Sequence, residues 1–444
     1  MFIRLIFSII LVCVPVSFCF AAIELDELES ILKPYGDKIA ALEARILELE
    51  SADSERILSS QVERLEQTTE NLVLSAQRLQ NQSSSRINAF NPAISAVLTG
   101  SYSKQRRDPD AFTIEGFRLG EGAGPPGRGL ALGETEVTLS GSVDDKFRGQ
   151  ATVAFALGDE VEVELEEFFI ESLSLPYGLT AKAGRFFSGI GYLNEKHTHT
   201  DSFIERPLVY QTIFGGVQLG DEGLQLRWLA PTDTFLEFGA EILRGASAPI
   251  NGSARHGKGT KTLFAHIGGD VGNYGSWQWG LSALAGKSRE TNIREGDFTF
   301  VGDLDLWGSD LVYKVAPTGN PGANLWTFQA EYYRGKEDGF IIDDLGIQTL
   351  QEGQFDGYYA QILHRFSPSY QLGYRYDRVT PNEKGLLGTR FNPTRHSVML
   401  ELTNSEFGEF RLQFSRDKLQ SGVALNQLTL QYLMAFGAHG AHIF

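Results

Sequence analysis

The chain has 444 residues, a formal net charge of −17, 48 glycines, 30 phenylalanines and 15 tyrosines, but only three methionines. The negative charge argues against a nucleic-acid partner, and the glycine-rich, aromatic, methionine-poor profile points to many strands and tight turns rather than helical packing. Both cysteines, Cys13 and Cys19, fall in a segment expected to be removed, which excludes disulfides, thiolate metal sites and a cysteine nucleophile from the mature chain.

In chain order, Arg4 precedes an apolar run from Leu5 to Phe20 that ends in Cys19-Phe20-Ala21. This reads as a secretory signal, residues 1–21, cleaved after Ala21. A membrane anchor fits less well, because the run is short, broken by Pro15 and followed by Glu24, Asp26 and Glu27. Acylation on Cys19 would need a smaller neighbour than Phe18. No later stretch approaches the roughly 20 apolar residues of a membrane helix, which leaves the periplasm, the outer membrane or the medium.

Residues 22–82 are predicted to form a periplasmic coiled coil. Ile39, Leu42, Ile46 and Leu49, then Val62, Leu65, Leu72, Ala76 and Leu79, recur at the spacing of a heptad seam. The register slips across Ser51 to Arg56, so the coil is either a stuttered rod or a folded-back hairpin. Ser83 to Asn91 reads as a linker.

From residue 92 to residue 444, segments of about 9 to 14 residues alternate apolar and polar side chains. In one, Leu428, Leu430, Tyr432, Met434 and Phe436 interleave with Gln427, Thr429 and Gln431; in others Phe410, Leu412 and Phe414 face away from Arg411, Gln413 and Ser415, and Tyr374 and Tyr376 from Arg375 and Asp377. A mean hydropathy of −0.16 suits a barrel with one face in lipid and the other in a wet lumen. Phe444 fits a barrel's terminal strand, although His439 and His442 interrupt the alternation there.

The number of strands follows from loop parity. About seventeen candidates can be marked, whereas single-chain bacterial barrels have even counts with long outer loops and short periplasmic turns. Outer loops are expected at Arg106 to Leu130, Ala246 to Thr260, Glu290 to Asp297, Glu337 to Gly353 and Pro381 to Thr394, and the walks from the two ends agree only if Leu208 to Leu219 does not span. The expectation is an all-β transmembrane barrel of about 16 antiparallel strands, with 18 as the alternative. Residues 188–222 then become a long third outer loop, expected to fold into the barrel.

No G-x-S-x-G, H-E-x-x-H or Walker pattern occurs, and the reading is a channel rather than an enzyme. Pore-lining candidates are charged residues on polar strand faces: Arg185, Arg227, Arg365, Arg375, Arg395 and Arg411, with Glu237 and Glu331, and beside them Glu162, Glu164 and Asp377. Rings of such charges set ion preference across a narrow gap. His197 and His199 with Asp201, next to Glu195, form the most metal-like cluster; two imidazoles and a carboxylate suit zinc, so zinc is a candidate ligand although no cofactor is required.

The stretches Asn91-Pro92-Ala93-Ile94-Ser95, GETEVTLSGSVDDKFRGQ from Gly133, EVELEEFFIESLSLPYGLTAKAGRFFSGIGYLNEKHTHTDSF from Glu162 and LQLRWLAPTD from Leu224 resemble porin-like outer-membrane proteins often catalogued as zinc-regulated TonB-dependent outer membrane receptors. There is also a looser similarity to phosphate-selective porins. The first resemblance implies a link to zinc. A TonB-dependent transporter, however, has a plug ahead of about 22 strands, and this sequence offers a coil ahead of about sixteen.

The resulting expectation is an outer-membrane porin-like channel for passive diffusion of small polar or charged solutes. Lipid and lipopolysaccharide would surround it, the coil would promote a homotrimer, and peptidoglycan or another periplasmic partner could meet the coil. The alternatives are a receptor for zinc uptake and an envelope tether.

Overall fold

The computed structural model of the protein describes residues 92–437 except 107, 110, 121, 158–160, 251–258, 289–298, 344 and 385, together with residue 38. The expected signal segment, the coil apart from Lys38, the linker and the terminal His439 to Phe444 lie outside the described residues. The chain divides into two compact units, Met1–Ala89 and Phe90–Phe444, and the second contains the barrel.

Its strands are inside-out relative to those of a water-soluble protein. Along the segment 408–420, Phe410, Leu412 and Phe414 are exposed while Arg411, Gln413 and Ser415 are buried. The same inversion runs along 423–437, where Leu428, Leu430 and Met434 face outward and Gln427 and Thr429 inward. Period-2 alternation sends successive side chains to opposite faces of a sheet, and here the apolar set is the outer one.

The strands, in chain order, are β1 (Ala93–Gln105), β2 (Gly129–Leu132), β3 (Thr135–Ser142), β4 (Phe147–Leu157), β5 (Val161–Ser172), β6 (Leu179–Phe187), β7 (Gly220–Leu229), β8 (Phe235–Leu243), β9 (Thr260–Val271), β10 (Gly275–Ser288), β11 (Thr299–Val315), β12 (Leu325–Ile342), β13 (Gln348–Ser367), β14 (Tyr370–Thr380), β15 (Thr394–Ser405), β16 (Gly408–Gln420) and β17 (Val423–Gly437). From β3 onward each pairs antiparallel with the next. Closure comes from β1, which pairs with β17 from Ser95↔Gly437 to Gln105↔Gln427 on one edge and with both β2 and β3 on the other. Because β2 and β3 lie end to end along the same neighbour, they are two halves of one wall strand, and the seventeen segments make a closed barrel of sixteen strands.

The residues from Leu208 do not span. They form a short helix, α1 (Leu208–Ile213), preceded by Pro207 and followed by Gly215 and Gly216 with φ of 76° and 112°. Proline suits a helix start, and left-handed glycines end one. The loop expected at Glu337 to Gly353 is shorter than anticipated: pairing between β12 and β13 continues to Ile342↔Gln348, so only 343–347 turn the chain. Nothing stops antiparallel pairing at the membrane surface, and β11 to β13 run on as a projecting ribbon.

The outer surface carries the band a bilayer requires. The outward residues of β17 from Leu428 to Phe436 cover about 20 Å along the barrel axis at ~3.3 Å per residue and a tilt of ~40°, near the ~25 Å of an outer-membrane barrel. Toward the loop end the outward positions change to Arg416 and Lys418 on β16 and to Arg334, Lys336 and Asp338 on β12. At the turn end sit aromatic rings, with Trp326 stacked on His364 at 3.9 Å and Phe410 4.4 Å from Tyr432. Leu412→Arg, in mid-band, is expected to lower folding stability in lipid by about 2–4 kcal/mol, and Thr394→Arg, beside Lys418, by about 0–1 kcal/mol. Denaturant titration of barrels folded into vesicles checks this, and equal costs would contradict the band.

Candidate functional site

Between β6 and β7 the chain leaves the wall at Ser188 and returns at Leu219. The Ser188 amide donates to the Leu219 carbonyl at 2.9 Å, and Asn194 clamps the base, donating from Nδ2 to the carbonyls of Ser188 and Leu219 and accepting from the Leu219 amide at 2.7 Å. The ends of this segment meet and its own side chains fill it, as in the much shorter Ω-loops. Arg206 braces it from within, pairing with Asp201 at 2.7 Å and donating to the Leu193 carbonyl.

This loop touches the inner wall nearly all the way around. On β8, Glu241 accepts from Ser188 and from the Gly189 amide. On β7, Arg227 pairs with Glu195. On β12, Glu331 is a hub that accepts from the Leu193 amide at 2.9 Å and the Tyr210 hydroxyl at 2.9 Å, both in the loop, and from the Tyr333 and Tyr359 hydroxyls at 2.8 and 2.7 Å. Asp377 on β14 accepts from the Leu208 amide at 3.0 Å while holding Arg375. Arg395 on β15 pairs with Glu205 at 2.6 Å and Asp417 at 2.7 Å, and Arg411 on β16 donates to the His199 carbonyl at 3.3 Å. Gly191, with φ of 72°, sits so close that a Cβ would collide with the Tyr333 hydroxyl. Apolar packing completes the contact, with Ile190, Leu208 and Phe214 of the loop clustered with Phe112 and Leu119 of the first loop and with Phe264 and Leu304 of the wall.

The pore-lining candidates therefore separate into groups. Glu331, Arg375, Arg395 and Arg411 point inward but are only 1%, 2%, 0% and 5% exposed, so they hold the loop rather than meet solute. Arg227 does likewise and also pairs with Glu237, which itself contacts His266 at 3.4 Å. Arg365 faces inward opposite Gln371. Arg185 lies opposite Phe168 and Glu222, on the side of the sheet that exposes Phe168 and Leu224. It is thus on the outer face, paired with Glu164 at 3.3 Å and Glu222 at 3.7 Å; Lys182, an odd number of residues earlier, takes the inward position. Glu162 precedes Glu164 on the exposed upper part of β5.

His197 and His199 meet carboxylates from the wall, while Asp201 stays with Arg206. His197 Nδ1 is 2.9 Å from Glu136 and 3.1 Å from Glu166, its Nε2 is 3.0 Å from Glu167, and His199 Nδ1 is 2.8 Å from Glu136. Burial disfavours a charged His197 ring, but its hydrogen bonds to Glu136, Glu166 and Glu167 outweigh that and hold its pKa well above the usual imidazole value.

Two β-bulges make this meeting possible. Thr152↔Glu167 is followed by Val153↔Leu165, leaving Glu166 without a partner across the strand pair, so that Glu166 and Glu167 both turn inward. Between Gly100↔Leu132 and Val97↔Glu136, three residues of the β2–β3 strand face two of β1, and this extra residue shifts the alternation so that Glu136, opposite buried Val97, turns inward although Leu132 faces out. The carboxylates of Glu134, Glu136 and Glu166 lie within 4.8 Å of one another, as do the ligand atoms of Glu136, His197 and His199. A bulge re-aims a side chain that strict alternation would send the other way. Glu134, Glu136, Glu166 and Glu167 escape a reading by alternation for that reason; the doubled Glu166-Glu167 within an alternating strand is the one trace left in the sequence.

Glu331→Leu strips the acceptor from four buried donors, each charge-assisted bond being worth about 1.5–3 kcal/mol. Trypsin is expected to cut the variant after Lys196, whose bond to His197 lies in the loop, while the barrel stays folded and the wild type resists. Equal resistance would show that the hub does not hold the loop.

No family model matches the sequence. An uncharacterized protein of Aquifex aeolicus (strain VF5) is 30% identical over 386 residues, covering 80% of each chain. Among solved structures, the trimer form of OmpT from Vibrio cholerae has a TM-score of 0.49 at 11% identity, covering 78% of this chain and 99% of that one. The outer membrane channel DcaP of Acinetobacter baumannii has a TM-score of 0.49 at 12% identity, covering 78% and 97%. Barrel closure rests on the strand pairing above, independently of these two likenesses. At 30% identity across four-fifths of both chains, this protein belongs to the same family as the Aquifex aeolicus protein.

Proposed function

We propose that the protein is a porin-like channel of a bacterial outer membrane, through which small polar or charged solutes diffuse passively, with the loop 188–219 setting the width of the passage. The observation that carries this reading is the closed sixteen-stranded wall with an apolar outer band and a polar inner face crossed by that loop. Sixteen strands enclose more space than side chains alone can fill, and the loop occupies part of it. A wall of sixteen strands is also smaller than the roughly 22 of plugged transporters, which favours diffusion over TonB-driven uptake.

The reading extends to the sign of the preferred ion. On the inner face of β3 to β5, Glu134, Glu136, Glu166 and Glu167 stand against two imidazoles, a net negative strip even with both rings protonated. Although the loop covers these side chains as it covers Glu331, the field of like charges behind a narrow, partly desolvated passage raises the local concentration of counter-ions without contact. Assembly as a homotrimer promoted by the coil, with lipopolysaccharide around the barrel, belongs to the same proposal; an unchanged oligomer after deletion of residues 22–82 would remove the coil from it.

Planar-bilayer recordings under a potassium chloride gradient are expected to show ohmic steps whose reversal potential favours potassium. A reversal potential favouring chloride would overturn the cation preference, and a membrane without steps would overturn the channel.

A further inference from the structure

We propose that Glu136, His197 and His199, with Glu166 completing the shell, bind a divalent transition-metal cation of the zinc type inside the barrel. The site goes beyond the channel reading and stands whether or not the barrel conducts.

Ligand type and spacing are the first argument. Zinc takes imidazole nitrogen and carboxylate oxygen at about 2.0–2.2 Å in a tetrahedron, whose edges are then about 3.4 Å. The Nδ1 atoms of both histidines lie 2.8 to 2.9 Å from the two oxygens of Glu136, and His197 Nδ1 lies 3.1 Å from Glu166. Opening the shell by a few tenths of an ångström admits the ion. The side chains come from three separate parts of the chain, β3, β5 and the loop, so they converge by folding and not by neighbourhood in sequence.

The second argument is the orientation of His197. Its Nε2 is bonded to Glu167 at 3.0 Å, and Glu167 in turn accepts from Gln150 Nε2 at 2.8 Å. A carboxylate that takes the outer N–H of an imidazole fixes the tautomer and turns the other nitrogen's lone pair toward the centre, the usual arrangement behind a zinc-bound histidine. A histidine serving only as a counter-ion to Glu136 has no need of a braced carboxylate at its back.

The third is charge. Three carboxylates within 4.8 Å of one another repel strongly in a partly desolvated setting, and among the described residues no lysine or arginine forms an ion pair with Glu134, Glu136, Glu166 or Glu167. The nearby cations are committed elsewhere: Lys182 to Glu171 at 3.3 Å, and Arg411 to Glu401 and Glu409. A divalent cation would take the place of the two Nδ1 protons that the imidazoles release on ligation and would meet the carboxylates of Glu136 and Glu166 directly. It would also tie residues 197–199 to β3 and β5, adding to the Arg411 bond from β16 to the His199 carbonyl.

The test is calorimetric titration of the full-length, detergent-folded protein with zinc chloride, and with magnesium chloride in parallel. The expected result is one zinc per chain and far weaker magnesium binding. His197→Ala with His199→Ala is expected to weaken zinc by more than about 100-fold, and Glu167→Gln by about 10- to 100-fold at unchanged stoichiometry. His396→Ala, on the outer face, is expected to change nothing. Heat-modifiable gel migration reports whether each variant folds. If the double variant does not fold, cobalt bound to the wild type decides: visible bands of a tetrahedral site with nitrogen and oxygen ligands support the proposal, and an octahedral aqua-like spectrum overturns it. Wild-type protein that takes up no zinc, or zinc binding unaffected by loss of both histidines, would also overturn it.

Discussion

A charged side chain buried on the inner wall of a barrel persists only if it finds a partner, because an unpaired buried ion costs several kcal/mol. In this protein the partners come largely from one stretch of chain. The loop 188–219 brings Glu205 to Arg395, the Leu208 amide to Asp377, the Leu193 amide and Tyr210 to Glu331, and Glu195 to Arg227. Without the wall's charges the loop would have nothing to grip; without the loop those charges would need water or each other. The barrel and its crossing segment are one folded unit for this reason.

That mutual dependence also explains the division of the inner surface. Along β12 to β16 the wall is covered and Glu331, Asp377, Arg395 and Arg411 are tied to the loop by hydrogen bonds and ion pairs, which suits rigidity. Along β3 to β5 it is glutamates that meet the loop, through its two imidazoles, and among the described residues no arginine of these strands joins them. Residues 197–199 are held there by imidazole–carboxylate contacts of 2.8 to 3.1 Å and by the Arg411 bond to the His199 carbonyl, so an ion that meets the imidazoles acts on the loop at that point.

Much of the fold was legible because lipid imposes a strict rule on one face of every strand. Leu428, Leu430, Phe410 and Leu412 had to be apolar and had to alternate, and loop parity then rejected Leu208 to Leu219 as a spanning segment and gave sixteen strands. The inner face obeys no such rule. Polar residues there satisfy the pattern equally well in open water or beneath a covering loop, so the sequence shows that Glu331, Arg375 and Arg395 face inward and not that they are covered. Arg185 was misplaced because Lys-Ala-Gly-Arg from Lys182 carries two polar residues an odd distance apart with small ones between, and nothing apolar declares which of the two faces lipid. The carboxylates around His197 depend on bulges, which are set by register against neighbouring strands, information a single strand's sequence does not hold. The projecting β12–β13 ribbon was hidden for a related reason: beyond the band its outward residues are charged, and charged strand reads as loop.

The central claim is that the barrel is a channel narrowed by its own third loop, and single-channel conductance addresses it most directly. Wild-type protein should be compared in planar bilayers with a variant in which residues 190–217 are replaced by a short glycine-serine link. The predicted result is discrete steps in both, several times larger in the shortened protein. Steps of equal size, or silence from both proteins once correct folding and insertion have been verified, would contradict it.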